Sequence, residues 1–490
     1  MNRLGLLLLV GLGCQPGNHV TGESPFDPTW PEPRNQSESV ISVSVSGLQT
    51  VVTVHYNSET DSVQDGTIEL SAGGRLVHRG ASEVGWSYST DGGGTWTYGG
   101  TVKPPTGWAA IWSDPAITRV ETNHQDVFAS YLAIPDSKFP VSGTISGLVN
   151  DFLGGACILR SSDSGKHFAI HQCVQATDVD PDGDFYDGGS MAGGPDGSIY
   201  ASFVDLDMGQ IHVWRAANAN AAFVRLPPPF RSFEVDINAH PRIRVDQTTG
   251  ALYVLAPGIE PGGSQELLYI DRWDGSGWSG TRQASTLRAD PSPLLSFANG
   301  TARRADEYSF DIGTTSGHAG PFDAIRILYG WKNTITGRHH LQPAVCSKDL
   351  SGCFYGTSGW STGLAEGDQF GPVVRFFDGT GSPLGPVWKA SWLSRERDPT
   401  GSTFDVREGN LAVLGNGTHV LTPIPQTGLL PVCQTLGGYW GDYEDLQFMR
   451  VNLDTLLPQF IRTYSDSTAG CFDQWAFASW HLHVSASIFY

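Results

Sequence analysis

The sequence predicts an all-β chain built from repeated four-stranded antiparallel units, on three observations. Charged residues are only 16%, against 60 glycines and 11% aromatics, a poor composition for helices, whose exposed faces need Glu, Lys and Arg. One strand theme recurs along most of the chain. One short turn motif occurs twice at matching places in that theme.

The first segment, "MNRLGLLLLVGLGCQPG", has one Arg, an apolar run from Leu4 to Gly13, then Cys14. Such a run is too short to span a bilayer and predicts an export signal. Its end resembles a bacterial lipoprotein signal (residues 1–14), with Cys14 as the lipidated first residue; ordinary signal cleavage is the alternative. Residues 15–40 are polar and Pro-rich without periodicity, and predict a tether. Residues 41–490 then repeat the theme: a small-residue lead such as "DPA", an alternating strand such as "VFASYLA", and further strands closed by Gly turns. It appears at 50–57, 114–134, 187–206, 240–256, 322–331, 371–393 and 441–452. This spacing predicts a β-propeller of six or seven four-stranded blades with no second domain, the weaker stretch 286–366 leaving the count open.

The turn motif is "SYSTDGGGTW", with Ser89, Asp91, Gly93, Thr95 and Trp96, and it returns in "SSDSGKHF" as Ser161, Asp163, Gly165 and Phe168. Physically it is a hairpin: the Asp carboxylate accepts backbone N–H groups, Gly supplies a positive φ, and the aromatic packs beneath. The motif resembles the Asp-box (BNR) repeat of sialidase-superfamily propellers, where it joins the outer strands of a blade on the face away from the active site. The resemblance implies a sialidase-like β-propeller. It also implies, for a catalytic member, three arginines holding a sugar carboxylate, a Tyr nucleophile activated by Glu, and an Asp acid/base. The first arginine motif of that family is missing, since no Arg lies between Arg34 and Arg75. Arg242 in "HPRIRV", Arg326 and Arg375 are the candidate replacements. Tyr443 and Glu444 are the late Tyr–acid pair, although on a strand adjacent residues face opposite ways. Asp114 is the candidate acid.

Polar residues recur where inner strands begin: Asp114, Asp187, His240, Asp368 and Asp442. In a propeller these positions converge around the central channel, so they are candidate substrate-binding groups, with Trp440, Tyr443, Tyr308 and Trp112 as aromatic platforms for a sugar face. The same Asp residues would also serve as turn caps. "DVDPDGDFYD" places Asp178, Asp180 and Asp182 before Gly183, the opening of a calcium loop that Asp184 or Asp187 would complete. The Glu expected at position twelve is replaced by Gly189, and a solvated acidic loop is the alternative.

Fifty acidic against thirty basic residues give a formal charge of −20. That field opposes nucleic acid and anionic membrane surfaces, so membrane contact is expected only through the anchor. Six cysteines follow Cys14, and export favours disulfides; pairing of sequence neighbours would put Cys157 and Cys173 across one hairpin. The expected function is an exported, envelope-associated propeller acting on or binding glycans, with a divergent glycoside hydrolase as its catalytic form. A non-catalytic propeller that binds protein partners is the alternative.

Overall fold

The computed structural model describes residues 19–21, 35–46, 49–59, 68–70 and 76–78, most of 82–135, and 154–175. It further describes nearly all of 186–259, then 266–285, 294–303, 308–313, 323–332, 337–355, 369–379 and 386–395, and the strands beyond. Every regular element among these residues is a β-strand. No described helix is long and apolar enough to cross a membrane.

Most strands form consecutive antiparallel meanders of at least four strands each, as short alternating segments joined by Gly turns should; Ile68–Leu70 with Leu76–His78, and Leu294–Phe297 with Gly300–Arg303, are separate two-stranded hairpins. The first sheet runs Asn35–Ser46, Gln49–Glu59, Ser82–Ser89, Thr97–Thr101. The second runs Ala116–Val120, Asn123–Pro135, Gly155–Ser161, Ala169–Gln175, and Trp108–Ile111 adds to its second strand. The third is Tyr186–Gly193, Ile199–Asp205, Gln210–Ala216, Val224–Arg225. The fourth is Arg242–Val245, Leu252–Ile259, Glu266–Trp273, Arg282–Gln283. The fifth is Tyr308–Ile312, Ile325–Lys332, His339–Cys346, Cys353–Tyr355. The sixth is Gln369–Phe377, Val387–Ser394, Thr403–Val413, His419–Pro423. The seventh is Asp445–Val451, Pro458–Asp466, His481–Ile488, and its fourth strand is His19–Thr21 from the other end of the chain.

The first strand of each sheet touches the first strand of the next, and that of the seventh touches that of the first. Apolar side chains fill the gaps between neighbouring sheets. Phe128, Leu132 and Ile158 of the second meet Met191 and Phe203 of the third, while Tyr253, Leu255 and Ile270 of the fourth meet Phe310 and Ile327 of the fifth. Polar side chains also stitch inner strands together. Ile243 N–H donates to Ser190 Oγ at 3.1 Å, Val374 N–H to Ser309 Oγ at 3.2 Å, and Phe376 N–H to Asp311 Oδ2 at 2.7 Å. The first two satisfy buried amides and the third a half-buried one, each at a neighbouring sheet.

Both motif turns join the third and fourth strands of their sheets. Ser89 Oγ donates to Asp91 Oδ1 at 2.7 Å, and Thr95 N–H to the same oxygen at 2.8 Å. In the second copy, Ser161 Oγ and His167 N–H bond Asp163 Oδ1 at 2.7 and 3.0 Å. Among the described residues the positive φ falls on Gly92 in the first copy and on Ser164 and Gly165 in the second; Gly93 lies outside the described residues. A Cβ on Gly165 would overlap Thr53 of the first sheet, so this glycine lets the turn lie against its neighbour. A third, degenerate copy escapes the sequence pattern. In the same turn of the fifth sheet, Asp349 Oδ1 accepts Ser351 N–H at 3.0 Å. Ser347 stands two residues before this Asp and Phe354 five after it, but Phe354 is 75% exposed instead of packing beneath.

Cys157 pairs with Cys173 and Cys346 with Cys353, each across adjacent strands. The side chains of Cys433 and Cys471 lie outside the described residues, as does Cys14. The stretch 15–40, expected as a tether, contributes His19–Thr21 to the seventh sheet and the start of the first sheet's inner strand at Asn35.

Candidate functional site

A meander fixes which end of each sheet shares a face. The turns between first and second strands and between third and fourth strands lie at one end, so the motif turns point one way. The leading ends of the inner strands lie at the other. Three sequence-flagged residues occupy these leading ends: Asp114 just before Ala116–Val120, Asp187 in Tyr186–Gly193, and His240 just before Arg242–Val245.

The three converge. A carboxylate oxygen from each Asp and a ring nitrogen of His240 all lie within 4.8 Å of one another. Asp114 and His240 are buried, at 5% and 3% exposure, and Asp187 is half-buried. The backbone between them explains the approach. Gly188 N–H donates to Asp114 Oδ2 at 3.3 Å and to Asp187 Oδ1 at 2.9 Å, tying both carboxyls to one amide. Gly188 has φ +51, and a Cβ there would overlap the His240 ring. Only glycine combines that conformation with that contact. The register of the third sheet slips between Asp187 and Gly189, and this irregularity turns the Asp187–Gly188 peptide toward its neighbours. Asp114 itself has φ 58, a left-handed conformation that Asp tolerates better than most residues.

The next inner strand supports the cluster from behind. Tyr308, at the leading end of the fifth sheet, donates its hydroxyl to His240 O at 2.7 Å. It is 3% exposed, and so acts as a strut under His240 instead of the sugar platform its sequence position suggested.

The other flagged residues fall elsewhere. Arg242 opens the strand two residues after His240 and is half-buried. Arg326 lies on the second strand of the fifth sheet, level with Asp311 toward the far end of the inner strand. Its guanidinium sits 4.8 Å over the Trp388 ring of the sixth sheet, and burial lowers its pKa to about 9. Arg375 is also toward the far end of its strand, 7% exposed, with Nη1 donating to Val374 O at 2.8 Å. The three arginines expected to hold a sugar carboxylate are therefore spread over different levels. Asp178, Asp180, Asp182, Asp184, Asp368, Trp440, Asp442, Tyr443, Glu444 and Trp112 lie outside the described residues. Gly188 is the functional position that sequence reading passed over; the adjacent pair Gly188–Gly189 after Asp187 was the available signal.

No protein-family model matches the chain, and no curated protein matches it either. Among solved structures it is similar to an α-L-arabinanase of Penicillium chrysogenum complexed with arabinobiose, at 12% identity and TM-score 0.41, over 76% of this chain and 92% of that one. It is also similar to an α-L-arabinofuranosidase of Fusarium graminearum, at 10% identity and TM-score 0.39, over 79% and 92%. A third is the GH43_1 enzyme of Xanthomonas citri complexed with xylose, at 15% identity and TM-score 0.32, over 64% and 90%. Likeness of this degree does not transfer those enzymes' substrates to this chain.

Proposed function

We propose that the chain is an exported seven-bladed propeller of sialidase type directed at neutral glycans, and that Asp114, Asp187 and His240 mark where one sugar residue sits. The carrying observation is their convergence from three successive sheets at the face opposite the motif turns. Seven inner strands in mutual contact support the blade number. Two disulfides suit an oxidising compartment, and the lipid-bearing Cys14 belongs to the same reading.

Charge argues for neutral sugars over sialic acid. Two neighbouring carboxylates in a protein with formal charge −20 repel an anionic sugar, and Arg326 and Arg375 pack at other levels. A carboxylate pair is also the equipment of glycoside cleavage. An inverting pair needs roughly 6.5–9.5 Å between carboxyls to admit a water, and a retaining pair roughly 5–5.5 Å. One oxygen each of Asp114 and Asp187 lie within 4.8 Å of one another, an approach nearer the retaining spacing than the inverting one.

The test is turnover of aryl arabinofuranoside, xyloside, galactoside and sialoside by the purified chain, alongside a glycan-binding array. A neutral sugar cleaved or bound by the chain and lost in Asp187→Asn supports the reading. Turnover of the sialoside alone, or no sugar in either assay, overturns it.

A further inference from the structure

We propose that Asp114, Asp187 and His240 form a binding site for one first-row divalent cation, of the Mn²⁺ or Zn²⁺ kind. The cation binding stands on geometry alone; what it does to glycans rests on the reading above.

Two carboxylates brought together in a mostly buried place repel each other, and proteins relieve such repulsion by sharing a proton or a cation. An imidazole beside them favours the cation, because neutral His is a metal ligand and adds no charge of its own. Three donors bound to one metal at roughly 2.0–2.2 Å lie about 3–4 Å apart. The three atoms here lie within 4.8 Å of one another, so side-chain adjustment of at most about 1–2 Å between donors brings them onto one ion. Two oxygens and one nitrogen also discriminate among metals. Ca²⁺ and Mg²⁺ take oxygen ligands, six or more for Ca²⁺, whereas a mixed carboxylate–imidazole set suits first-row ions. The ligand scaffold is stiff. Gly188 N–H holds both carboxyls, its missing side chain makes room for the His240 ring, and Tyr308 fixes the His240 backbone. Conserving ligand orientation through such outer contacts is a property of metal centres.

Three protein ligands leave coordination positions for other groups, and adjacent sugar hydroxyls suit them. A cation shared by both carboxylates also takes them out of acid–base service. The loaded centre therefore grips a sugar, and the metal-free centre is the form competent to cleave it.

The experiment is calorimetric titration of the EDTA-treated, dialysed full chain with Mn²⁺, Zn²⁺ and Ca²⁺, each without sugar. The expected result is one equivalent of Mn²⁺ or Zn²⁺ bound at least 10-fold tighter than Ca²⁺, weakened at least 10-fold in Asp187→Asn and in His240→Gln. Circular dichroism establishes that each variant is folded, and the half-buried Asp187 keeps the test informative if His240→Gln unfolds. No binding of either ion to the folded wild type, Ca²⁺ bound preferentially, or binding unchanged in Asp187→Asn overturns the proposal. The glycan array is then run with Mn²⁺ and with EDTA. Cation bound and no sugar in either condition removes the glycan reading and leaves the metal centre; sugar bound equally in both overturns the coupling.

Discussion

Replacing Gly188 with alanine probes how the centre is assembled. Two penalties add at this position. A non-glycine residue at φ +51 carries about 1–2 kcal/mol of left-handed strain. The new methyl also overlaps the buried His240 ring, and forcing a packed side chain aside costs about 1–3 kcal/mol. The sum is about 2–5 kcal/mol. Gly337 supplies the control, since it has φ +69 and open space where a Cβ would stand. Gly337→Ala should therefore cost only the backbone part, about 1–2 kcal/mol. Paired denaturant unfolding curves measure both. Thermal melts with and without Mn²⁺ then show whether the displaced ring has spoiled the cluster. Equal losses in the two variants, with the metal-dependent rise in melting temperature intact in Gly188→Ala, would refute the argument that glycine here exists to seat His240.

Other consequences are open to measurement. Asp246 is fully buried; burial raises its pKa, but hydrogen bonds from Thr248 and Thr249 and the Lys348 ammonium 3.3 Å away outweigh that and hold it below the usual value. Stability from this carboxylate is thus present above its unfolded pKa and lost as pH falls through the folded one. Lys348→Met should move acid unfolding, followed by circular dichroism, to higher pH. Asp163→Ala removes the acceptor of the second motif turn, whose backbone packs on Thr53, and should cost about 1–2 kcal/mol in urea without changing sugar or metal binding. Replacing Cys157 and Cys173 together by Ser opens a loop of sequence separation 16 and should cost about 3 kcal/mol; an unchanged urea midpoint would show that the paired strands already restrict the unfolded chain.

The architecture was legible because each sheet repeats one local rule. Alternating segments such as Val127–Ala133 bury completely on both faces, and the Asp turns bring their own hydrogen-bonding partners within a few residues. The site was legible only in part. Asp114, Asp187 and His240 share a position relative to their strands, so a repeat reading lines them up without knowing any distance. What pulls them together is a backbone irregularity at Asp187–Gly189 and the vacancy of a side chain at Gly188, and neither has a periodic signature. Arg326 misled for the complementary reason. A strand arginine looks the same in sequence whether it faces a channel or lies over Trp388 between two sheets.

The seventh sheet has an implication for the order of events as the molecule folds. His19–Thr21 pairs with His481–Ile488, which joins the first described strand to the last. Closing so long a loop is slow, and the partner strand follows all the other sheets in chain order. Six sheets can form as the chain emerges, but the last keeps an unpaired edge until the beginning of the chain returns to it. A ring secured in this way closes last, when its earliest strand pairs with its latest.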